Sequence, residues 1–297
     1  MSFNKTVIDI SKYQGVIDFK KMKEAGNVFG VIIRCGYRGY GNGQIVADPY
    51  FQRNVDGCIE NGIPYGIYFF SQAVNVSEAT EEADYCLNAV KKQKVQPLFP
   101  IYIDTEWSNT KHNGRADKIT DATRTAVVRN FCKRVEESGY FAGIYASTSW
   151  YKDQLFDSNL KEFSHWVAHY SNKCGYTGSH HMWQYSSGGS VAGVPGRVDM
   201  NHCYIDFPNV IKGAGLNGYK KEEIILHTLE TTRAVSEHAL GKFQSLAKVL
   251  GIDLEVTTES RHYIKTEPMT NGDVKQFESL AKGLFEEVII KEAKYVE

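Results

Sequence analysis

The segment at residues 99–106 ends in two carboxylates that a β-strand would place on one face. Its sequence, Phe-Pro-Ile-Tyr-Ile-Asp-Thr-Glu, is apolar up to Asp104, and Glu106 follows two residues later. Because alternate residues of a strand share a face, we expect the α-carbons of Asp104 and Glu106 to lie roughly 6.6 Å apart. Neighbouring negative charges raise the pKa of such acids, which keeps a proton on one of them near neutral pH. A protonated carboxyl beside a second carboxylate is the pair that cleaves glycosidic bonds.

Two further acids occupy matching positions in other predicted strands. Asp9 ends the first strand, in Val-Ile-Asp-Ile-Ser-Lys-Tyr-Gln, and Asp199 lies in the last strand, in Arg-Val-Asp-Met-Asn. The first and last strands of a closed barrel are neighbours, so all four carboxylates can converge at the mouth where barrel enzymes build their active sites. A lone Asp-x-Glu is most often a solvated strand end, but four acids at equivalent ends favour a catalytic site.

Short apolar runs that alternate with helical patterns predict a closed parallel (β/α) barrel of the α/β class. The eight predicted strands cover residues 6–10, 29–35, 66–71, 98–106, 141–147, 166–170, 182–185 and 197–204. The helices expected among the early strands cover residues 18–25, 48–61, 77–94 and 120–138. In the second of these, Asp48 is expected as the N-cap and Pro49 as the first helical residue. Helical patterns are sparse after residue 147, so we expect an irregular barrel with fewer helices than strands.

The last third of the chain predicts a second domain. Three glycines within residues 211–219 indicate a linker between a barrel at residues 1–210 and a small α+β domain at residues 220–297. In this C-terminal domain, Phe-Gln-Ser-Leu-Ala-Lys-Val-Leu at 243–250 recurs as Phe-Glu-Ser-Leu-Ala-Lys-Gly-Leu at 277–284. The repeat predicts pseudo-twofold symmetry.

Residues 222–250 favour one nearly continuous helix, roughly 43 Å long. A domain of this size cannot cover so long a helix with its own core. The apolar positions of the helix therefore predict a homo-oligomer formed through the C-terminal domain.

Bulk composition argues against several classes of protein. A net charge of -1 gives no electrostatic case for nucleic acid, and no run approaches the roughly 18–20 apolar residues that span a bilayer. Residues 1–9 lack the pattern of a signal peptide, so we expect accumulation in the cytoplasm. The six cysteines form no Cys-x-x-Cys pair, which indicates reduced thiols. There is no His-Glu-x-x-His motif, and His165 and His169 fit a strand, so neither a metal nor another cofactor is expected.

Aromatic residues on the same strands indicate a carbohydrate ligand. Aromatic faces pack on sugar rings, and phenol and indole groups hydrogen-bond hydroxyls. Each residue alone is explained as well by barrel packing, so the prediction depends on the cluster. Its members are Tyr68, Phe70, Tyr145, Trp166 and Tyr170.

Five motifs in this chain resemble the glycoside hydrolase family 25 lysozymes, the Chalaropsis-type muramidases. They are Asp-Ile-Ser-Lys-Tyr-Gln from Asp9, Asp-Thr-Glu ending at Glu106, Trp-Val-Ala-His-Tyr from Trp166, Trp-Gln-Tyr from Trp183, and Val-Asp-Met-Asn ending at Asn201. The resemblance covers residues 6 to about 208 and keeps the order of the family.

The resemblance implies cleavage of bacterial peptidoglycan between N-acetylmuramic acid and N-acetylglucosamine, with net retention. It makes Glu106 the general acid and then the base, while Asp104 orients the substrate's 2-acetamido group or acts as a nucleophile. It also implies that Asp9 and Asp199 hold the charge of the site and hydrogen-bond the sugar. The family places substrate contacts at Arg34, Tyr68 and Tyr145, and Gln184 of the Trp-Gln-Tyr motif completes the expected binding set. Phe69 stands where many members carry His, which puts the polarity of that subsite in question.

Two rival functions remain open at this point. A chitinase-like or N-acetylglucosaminidase activity also uses an Asp-x-Glu strand end, and it would leave glucosamine instead of muramic acid at the new reducing end. A non-catalytic glycan-binding protein would not need the proton donor Glu106.

The combination of a muramidase domain, a short tail domain and no signal peptide resembles an endolysin of a phage that infects clostridia. Such an enzyme waits in the host cytoplasm and reaches the cell wall after a separate membrane protein releases it at lysis. The tail resembles the cell-wall-binding domains of these endolysins, so we expect it to bind the wall.

Overall fold

The computed structural model describes residues 3–221, 226–231, 235–258, 262–266, 271–284 and 288–293. The chain divides into two compact units, Met1–Glu222 and Glu223–Glu297. In the described part of the chain, no helix is long and apolar enough to cross a membrane.

The first unit is a closed barrel of eight strands with one short additional strand. The strands are β1 (Lys5–Ile10), β2 (Gly30–Arg38), β3 (Ile45–Ala47), β4 (Tyr65–Phe70), β5 (Ile101–Asp104), β6 (Ala142–Ser147), β7 (Ser164–Ala168), β8 (Met182–Gly189) and β9 (Val198–Cys203). The helices are α1 (Phe19–Ala25), α2 (Phe51–Glu60), α3 (Val76–Lys91), α4 (Asp121–Glu137), α5 (Thr148–Asp153) and α6 (Phe207–Ala214). The order β1-β9-β8-β7-β6-β5-β4-β2 closes because β1 also pairs with β2, and β3 forms a hairpin with β2 outside the ring. The predicted irregular barrel with few helices is confirmed.

The expectation of an all-parallel barrel is wrong at its last strand. Strand β9 runs antiparallel to both β8 and β1, while the pairs from β1–β2 through β7–β8 are parallel. Only eight residues separate β8 from β9, and so short a connection makes a hairpin, because a parallel crossover needs a dozen residues or more.

The interior of the barrel is apolar at one end and polar at the other. Val7, Ile32, Tyr102 and Met182 are buried together in the interior. The residues two positions further along these strands point the same way and line a cleft at the carboxyl ends: Asp9, Arg34, Asp104 and Gln184. The alternate residues of the strands, such as Ile8 and Ile33, belong to the second core between the barrel and its helices.

The predicted linker at residues 211–219 belongs to the barrel unit. Helix α6 runs through its first part, Ile211 is fully buried, and the Asn217 side chain accepts from the Phe141 amide at 2.7 Å and donates to Pro97 O at 2.9 Å. One of the glycines that indicated a linker has a structural role in the helix instead. Gly215 ends α6 in the left-handed conformation (φ 68°), which glycine adopts without strain.

The second unit is an α+β sandwich built from two similar halves. One half is β10 (Leu226–Thr231), α7 (Glu237–Leu250) and β11 (Leu254–Thr258), and the other is β12 (His262–Thr266), α8 (Asn271–Gly283) and β13 (Val288–Ala293). The order β11-β12-β10-β13 is antiparallel throughout and maps onto itself when the halves are exchanged. The equivalent repeat residues Phe243 and Phe277 stack with ring centroids 6.1 Å apart. The predicted pseudo-twofold domain therefore has a split β-α-β arrangement.

The predicted continuous helix over residues 222–250 is wrong. Strand β10 occupies its first part, and α7 begins only after Ser236, whose hydroxyl caps the helix by accepting from the Ala239 amide at 3.2 Å. Leu229 and Thr231 are both buried, so a period of two outweighs the helical pattern here. Leu229, Leu240 and Phe243 pack in the core of this unit itself, which removes the argument for self-association that the long helix had supplied.

Candidate active site

All eleven side chains expected at the site line one cleft at the carboxyl ends of the barrel strands. The cleft has a volume of about 850 Å³. The expected residues along it are Asp9, Arg34, Tyr68, Phe70, Asp104, Glu106, Tyr145, Trp166, Tyr170, Gln184 and Asp199.

Strand register brings these residues together from distant parts of the sequence. Asp9 on β1 is the register partner of Asp199 on β9, and Asp104 on β5 lies between Phe70 on β4 and Tyr145 on β6. The predicted strand at 98–106 is shorter than expected, since β5 ends at Asp104. One further hydrogen bond, from the Thr105 amide to Tyr145 O at 3.0 Å, directs the chain so that half-buried Glu106 follows immediately beyond the strand.

Asp9 is the centre of a buried hydrogen-bond network. Its Oδ2 accepts from Gln184 Nε2 at 3.0 Å and from Asn201 Nδ2 at 2.9 Å. Gln184 Oε1 in turn accepts from the hydroxyls of Tyr145 at 2.8 Å and Tyr170 at 2.9 Å. Two tyrosines therefore fix the amide that holds the carboxylate in place.

Burial raises the pKa of all four acids, and neighbouring carboxylates raise it further for Asp9, Asp104 and Glu106. Burial and the charges of Asp199 and Glu106 raise the pKa of Asp9 to about 8, although the amides of Asn201 and Gln184 act in the opposite direction. Burial and then the charge of Asp199 raise the pKa of Glu106 to about 7. Burial also raises the pKa of Asp199. The cleft therefore holds protons at neutral pH that isolated carboxyls would have released.

Asp104 combines a raised pKa with an open hydrogen-bonding position. Burial, then the charges of Glu106 and Asp9, raise its pKa well above the ordinary value, while Arg34 acts to lower it. Its Oδ1 is buried and has no hydrogen-bond partner among the described residues. A buried polar oxygen of this kind is costly unless a ligand pairs with it, so Asp104 is suited to bind a polar group of a substrate.

The aromatic residues divide between the floor and the rim of the cleft. Trp166 is 1% exposed and contacts the rings of Tyr68 and Tyr145, at centroid distances of 6.2 and 4.5 Å. Tyr170 is 58% exposed at the rim. Tyr170 can therefore stack on a ligand directly, whereas Trp166 mainly shapes the floor.

The sequence model of the glycosyl hydrolases family 25 matches residues 8–194, which include Asp9, Asp104 and Glu106 and end just before β9. The chain belongs to this family.

Individual relatives match the family 25 domain. The autolytic lysozyme of Clostridium acetobutylicum is 27% identical over 195 residues, which are 65% of this chain and 54% of that protein. The solved structure of the modular autolysin LytC from Streptococcus pneumoniae, in complex with a synthetic peptidoglycan ligand, has a TM-score of 0.59 at 28% identity and covers 68% of this chain and 47% of that one. The catalytic domain of endolysin ply40, from bacteriophage P40 of Listeria monocytogenes, has a TM-score of 0.56 at 25% identity. The match covers 72% of this chain and 98% of the ply40 domain. The chain thus spans about half the length of the autolytic lysozyme and of LytC.

Asn201 is a site residue of this family 25 domain that our sequence reasoning missed. Its Oδ1 accepts from Trp166 Nε1 at 2.7 Å, while its Nδ2 donates to Asp9 Oδ2 and to Val7 O. The residue is fully buried; it holds the Asp9 carboxylate directly, and the Trp166 indole fixes the orientation of the Asn201 amide. Its place two residues after Asp199, on the same face of one strand, was the available signal.

Asp48 is the second missed residue, because its predicted role as a helix N-cap is wrong. Helix α2 begins at Phe51, and Asp48 Oδ2 accepts from Arg34 Nε at 2.8 Å and from the Lys12 amide at 3.1 Å. The Asp48 side chain is fully buried. Asp48 thus fixes both the cation beside Asp104 and the turn after β1.

Phe69 does not alter the polarity of the cleft. It is fully buried on the outer face of β4, where its ring lies 5.7 Å from that of Tyr85. The substitution for the family's histidine is therefore absorbed by the core between the barrel and its helices.

The loop after Glu106 is tied down at both ends. Asp117 accepts from the Ser108 amide at 3.0 Å and from the Gly114 amide at 2.8 Å. Trp107 stacks on His112 with centroids 4.2 Å apart. Glu106 therefore stands at the start of a closed loop that limits its movement.

No metal site is evident in the described part of the chain, where no three His, Cys, Asp or Glu side chains are grouped so that they could hold an ion.

Proposed function

We propose that this chain is a peptidoglycan hydrolase, a 1,4-β-N-acetylmuramidase that cleaves between N-acetylmuramic acid and N-acetylglucosamine with retention. The observation that carries the proposal is the Glu106 carboxyl, half-buried in the cleft with its pKa raised to about 7, next to buried Asp104. A carboxylic acid with a pKa near the working pH is suited to donate a proton and then to accept one.

In the proposed mechanism, Glu106 protonates the glycosidic oxygen as the bond to the sugar C1 breaks. Asp104 accepts a hydrogen bond from the 2-acetamido N–H through its unpartnered oxygen, so that the acetamido carbonyl oxygen attacks C1 from the opposite face. The ionised Glu106 then takes a proton from water as the water oxygen attacks C1. The bond between C1 and the acetamido oxygen breaks, which regenerates the acetamido group and restores the original configuration. If Asp104 itself attacks C1, the result is also retention.

The rest of the cleft positions and charges the site in this proposal. Asp9 and Asp199 hydrogen-bond the sugar, and the carboxyls of the cleft that are ionised stabilise a developing positive charge at C1. Arg34, Tyr68, Phe70 and Tyr170 contact the glycan along the walls.

Identification of the new reducing ends tests the activity. Purified walls are digested, the products are reduced with borohydride, and the sugar alcohols are identified. Muramitol supports the proposal. Glucosaminitol would establish the rival N-acetylglucosaminidase, and the absence of new ends would favour a glycan-binding protein without activity.

We propose that the second unit, Glu223–Glu297, binds the cell wall. Its independence as a compact unit and the polar face of its sheet support this role: Glu230 on β10 lies between Lys291, at 2.6 Å, and Lys265, at 3.7 Å. The test measures how much protein binds to purified walls. It compares the inactive Glu106→Gln chain with the same variant ended after Glu222. Equal retention of the two would contradict the proposal.

Self-association of the C-terminal domain stays a prediction, and light scattering across micromolar concentrations is its test. The phage origin and the release from the host cytoplasm at lysis also stay predictions.

A further inference from the structure

The cleft carries positive as well as negative side chains. Lys12, Arg34 and Arg197 line it together with the four acids. Arg34 is committed to Asp48, with Nη2 and Oδ2 2.8 Å apart. Lys12 and Arg197 take part in none of the ion pairs formed among the described residues. Two cations of the cleft are thus free to pair with a ligand.

These two cations are not the main partners of Asp9 and Asp104 on the floor of the cleft. Burial and the other carboxylates raise the pKa of Asp9, and the groups that lower it are the amides of Asn201 and Gln184. The cation that lowers the pKa of Asp104 is Arg34. Neither Lys12 nor Arg197 is among the main groups that set the pKa of Asp9 or Asp104, so neither cation is a principal partner of these two carboxylates.

Lys12 is presented on a preorganised turn. The 3₁₀ turn Lys12–Gln14 is closed by a capping box, in which the Ser11 hydroxyl accepts from the Tyr13 amide and Gln14 Oε1 accepts from the Ser11 amide at 2.9 Å. Asp48 Oδ2 accepts from the Lys12 amide at 3.1 Å. The ammonium lies 5.3 Å from the ring centre of Tyr13, which is 76% exposed. Backbone and ring together hold the cation at the rim.

Arg197 lies at the rim, beside the last strand of the barrel. It is exposed and directly precedes β9, two residues before Asp199. Arg197 therefore stands immediately before the strand that supplies the Asp199 carboxylate to the floor of the cleft.

We propose that Lys12 and Arg197 bind a carboxylate carried by the muramic acid residue of the substrate strand. This inference rests on the proposed function. The sugar rings of the strand are neutral, and its negative charge projects sideways from the 3-O-lactyl group, either as the free lactyl carboxylate or as carboxylates of an attached stem peptide. A neutral chitin-like strand offers no such group, so the two cations select for strands that contain muramic acid.

The expected change in KM follows from the solvent exposure of the ion pairs that Lys12 and Arg197 would form with the substrate. Exposed ion pairs contribute modestly, so each cation is expected to lower KM by about two- to fivefold while leaving kcat unchanged. Salt should weaken this advantage, because the charges are screened over about 8–10 Å at physiological ionic strength.

The experiment compares soluble glycan strands in three forms. One form retains stem peptides, one has them removed by an amidase to leave lactyl carboxylates, and one has those carboxylates reduced to alcohols. Full-length wild type, Lys12→Gln, Arg197→Gln and the double variant are assayed on each. The controls Lys20→Gln on α1 and Arg53→Gln on α2 remove the same charges from exposed positions outside the cleft.

We expect reduction of the carboxylates to raise the wild-type KM, and the double variant to lose that dependence while its kcat is unchanged. A dependence on the lactyl carboxylate alone identifies the lactyl group as the ligand, and a dependence limited to peptide-bearing strands identifies the stem. Wild-type discrimination retained by the double variant, with muramic acid ends still released, overturns this inference and leaves the proposed function intact. Failure of wild type to release muramic acid ends overturns both.

Discussion

Asp9 and Asp199 are register partners on the antiparallel strands β1 and β9, so two carboxylates meet where the barrel closes. The reversed direction of β9 produces this pairing, because it brings the beginning of β9 to the same end of the barrel as the end of β1. Burial and the nearby charge of Asp199 together raise the pKa of Asp9 to about 8. The seam of the barrel thereby holds a carboxyl that keeps its proton at neutral pH.

The first prediction concerns Glu106→Gln. The change keeps the shape of the side chain but removes the proton donor, and loss of a general acid typically lowers the rate by about 10²- to 10⁴-fold. Release of reducing ends and clearing of wall suspensions measure the loss, while sedimentation with walls should show unchanged binding. Clearing at a near wild-type rate would show that Glu106 is not the acid.

The second prediction concerns the pH profile of Asp199→Asn. The charge of Asp199 is the largest cause after burial that raises the pKa of Glu106. Its removal should lower that pKa, so Glu106 loses its proton at lower pH and the basic limb of the kcat/KM profile moves toward acid. Asp153→Asn, an exposed change on α5, is the matched control. A basic limb that stays in place would indicate that Asp199 does not act on the acid.

The third prediction concerns the stability of Asp9→Asn. A folded-state pKa of about 8, above the ordinary 3.8, means that Asp9 favours the folded state below about pH 4 and that this contribution is lost as the pH rises toward 8. The asparagine oxygen can still accept from Asn201 and Gln184. The variant should therefore be more resistant to urea than wild type at pH 8, equal to it near pH 4, and less active. A stability difference that does not grow with pH would contradict the assigned charge burial.

The fourth prediction concerns a buried ion pair behind the cleft wall. Arg38 Nε donates to Glu82 Oε1 at 2.8 Å, and the two side chains are 5% and 0% exposed. Glu82→Gln leaves a buried guanidinium without this carboxylate and should lower the free energy of unfolding by about 3 kcal/mol at neutral pH or above.

Glu81→Gln provides the comparison for that change. Glu81 contacts the same Arg38 at 3.0 Å, but its side chain is 58% exposed, so its removal should cost about 1 kcal/mol or less. Equal losses in urea unfolding would show that burial of Glu82 does not decide the energy of this pair.

The sequence by itself determined the acidic strand ends that line the cleft and the class of fold. A strand has a period of two, so apolar residues followed two positions later by Asp9 or Asp104 already specify a barrel interior that becomes polar at its carboxyl end. The repeat that contains Phe243 and Phe277 likewise specified the symmetry of the second unit. Both patterns are local in the sequence. They predict the structure correctly because the regular spacing of side chains along strands and helices is the same in any fold.

Only the tertiary structure decided which partner each polar group takes. Asp48 satisfies a local rule for helix caps, yet it binds Arg34, because folding buries it beside a cation from another strand. Gly215 ends a helix packed on the barrel, and residues 226–231 form a strand, because long-range burial and sheet pairing outweigh local propensity. Asn201 acquires its role for the same reason: Trp166 and Asp9 are distant in sequence and meet it only when the barrel closes.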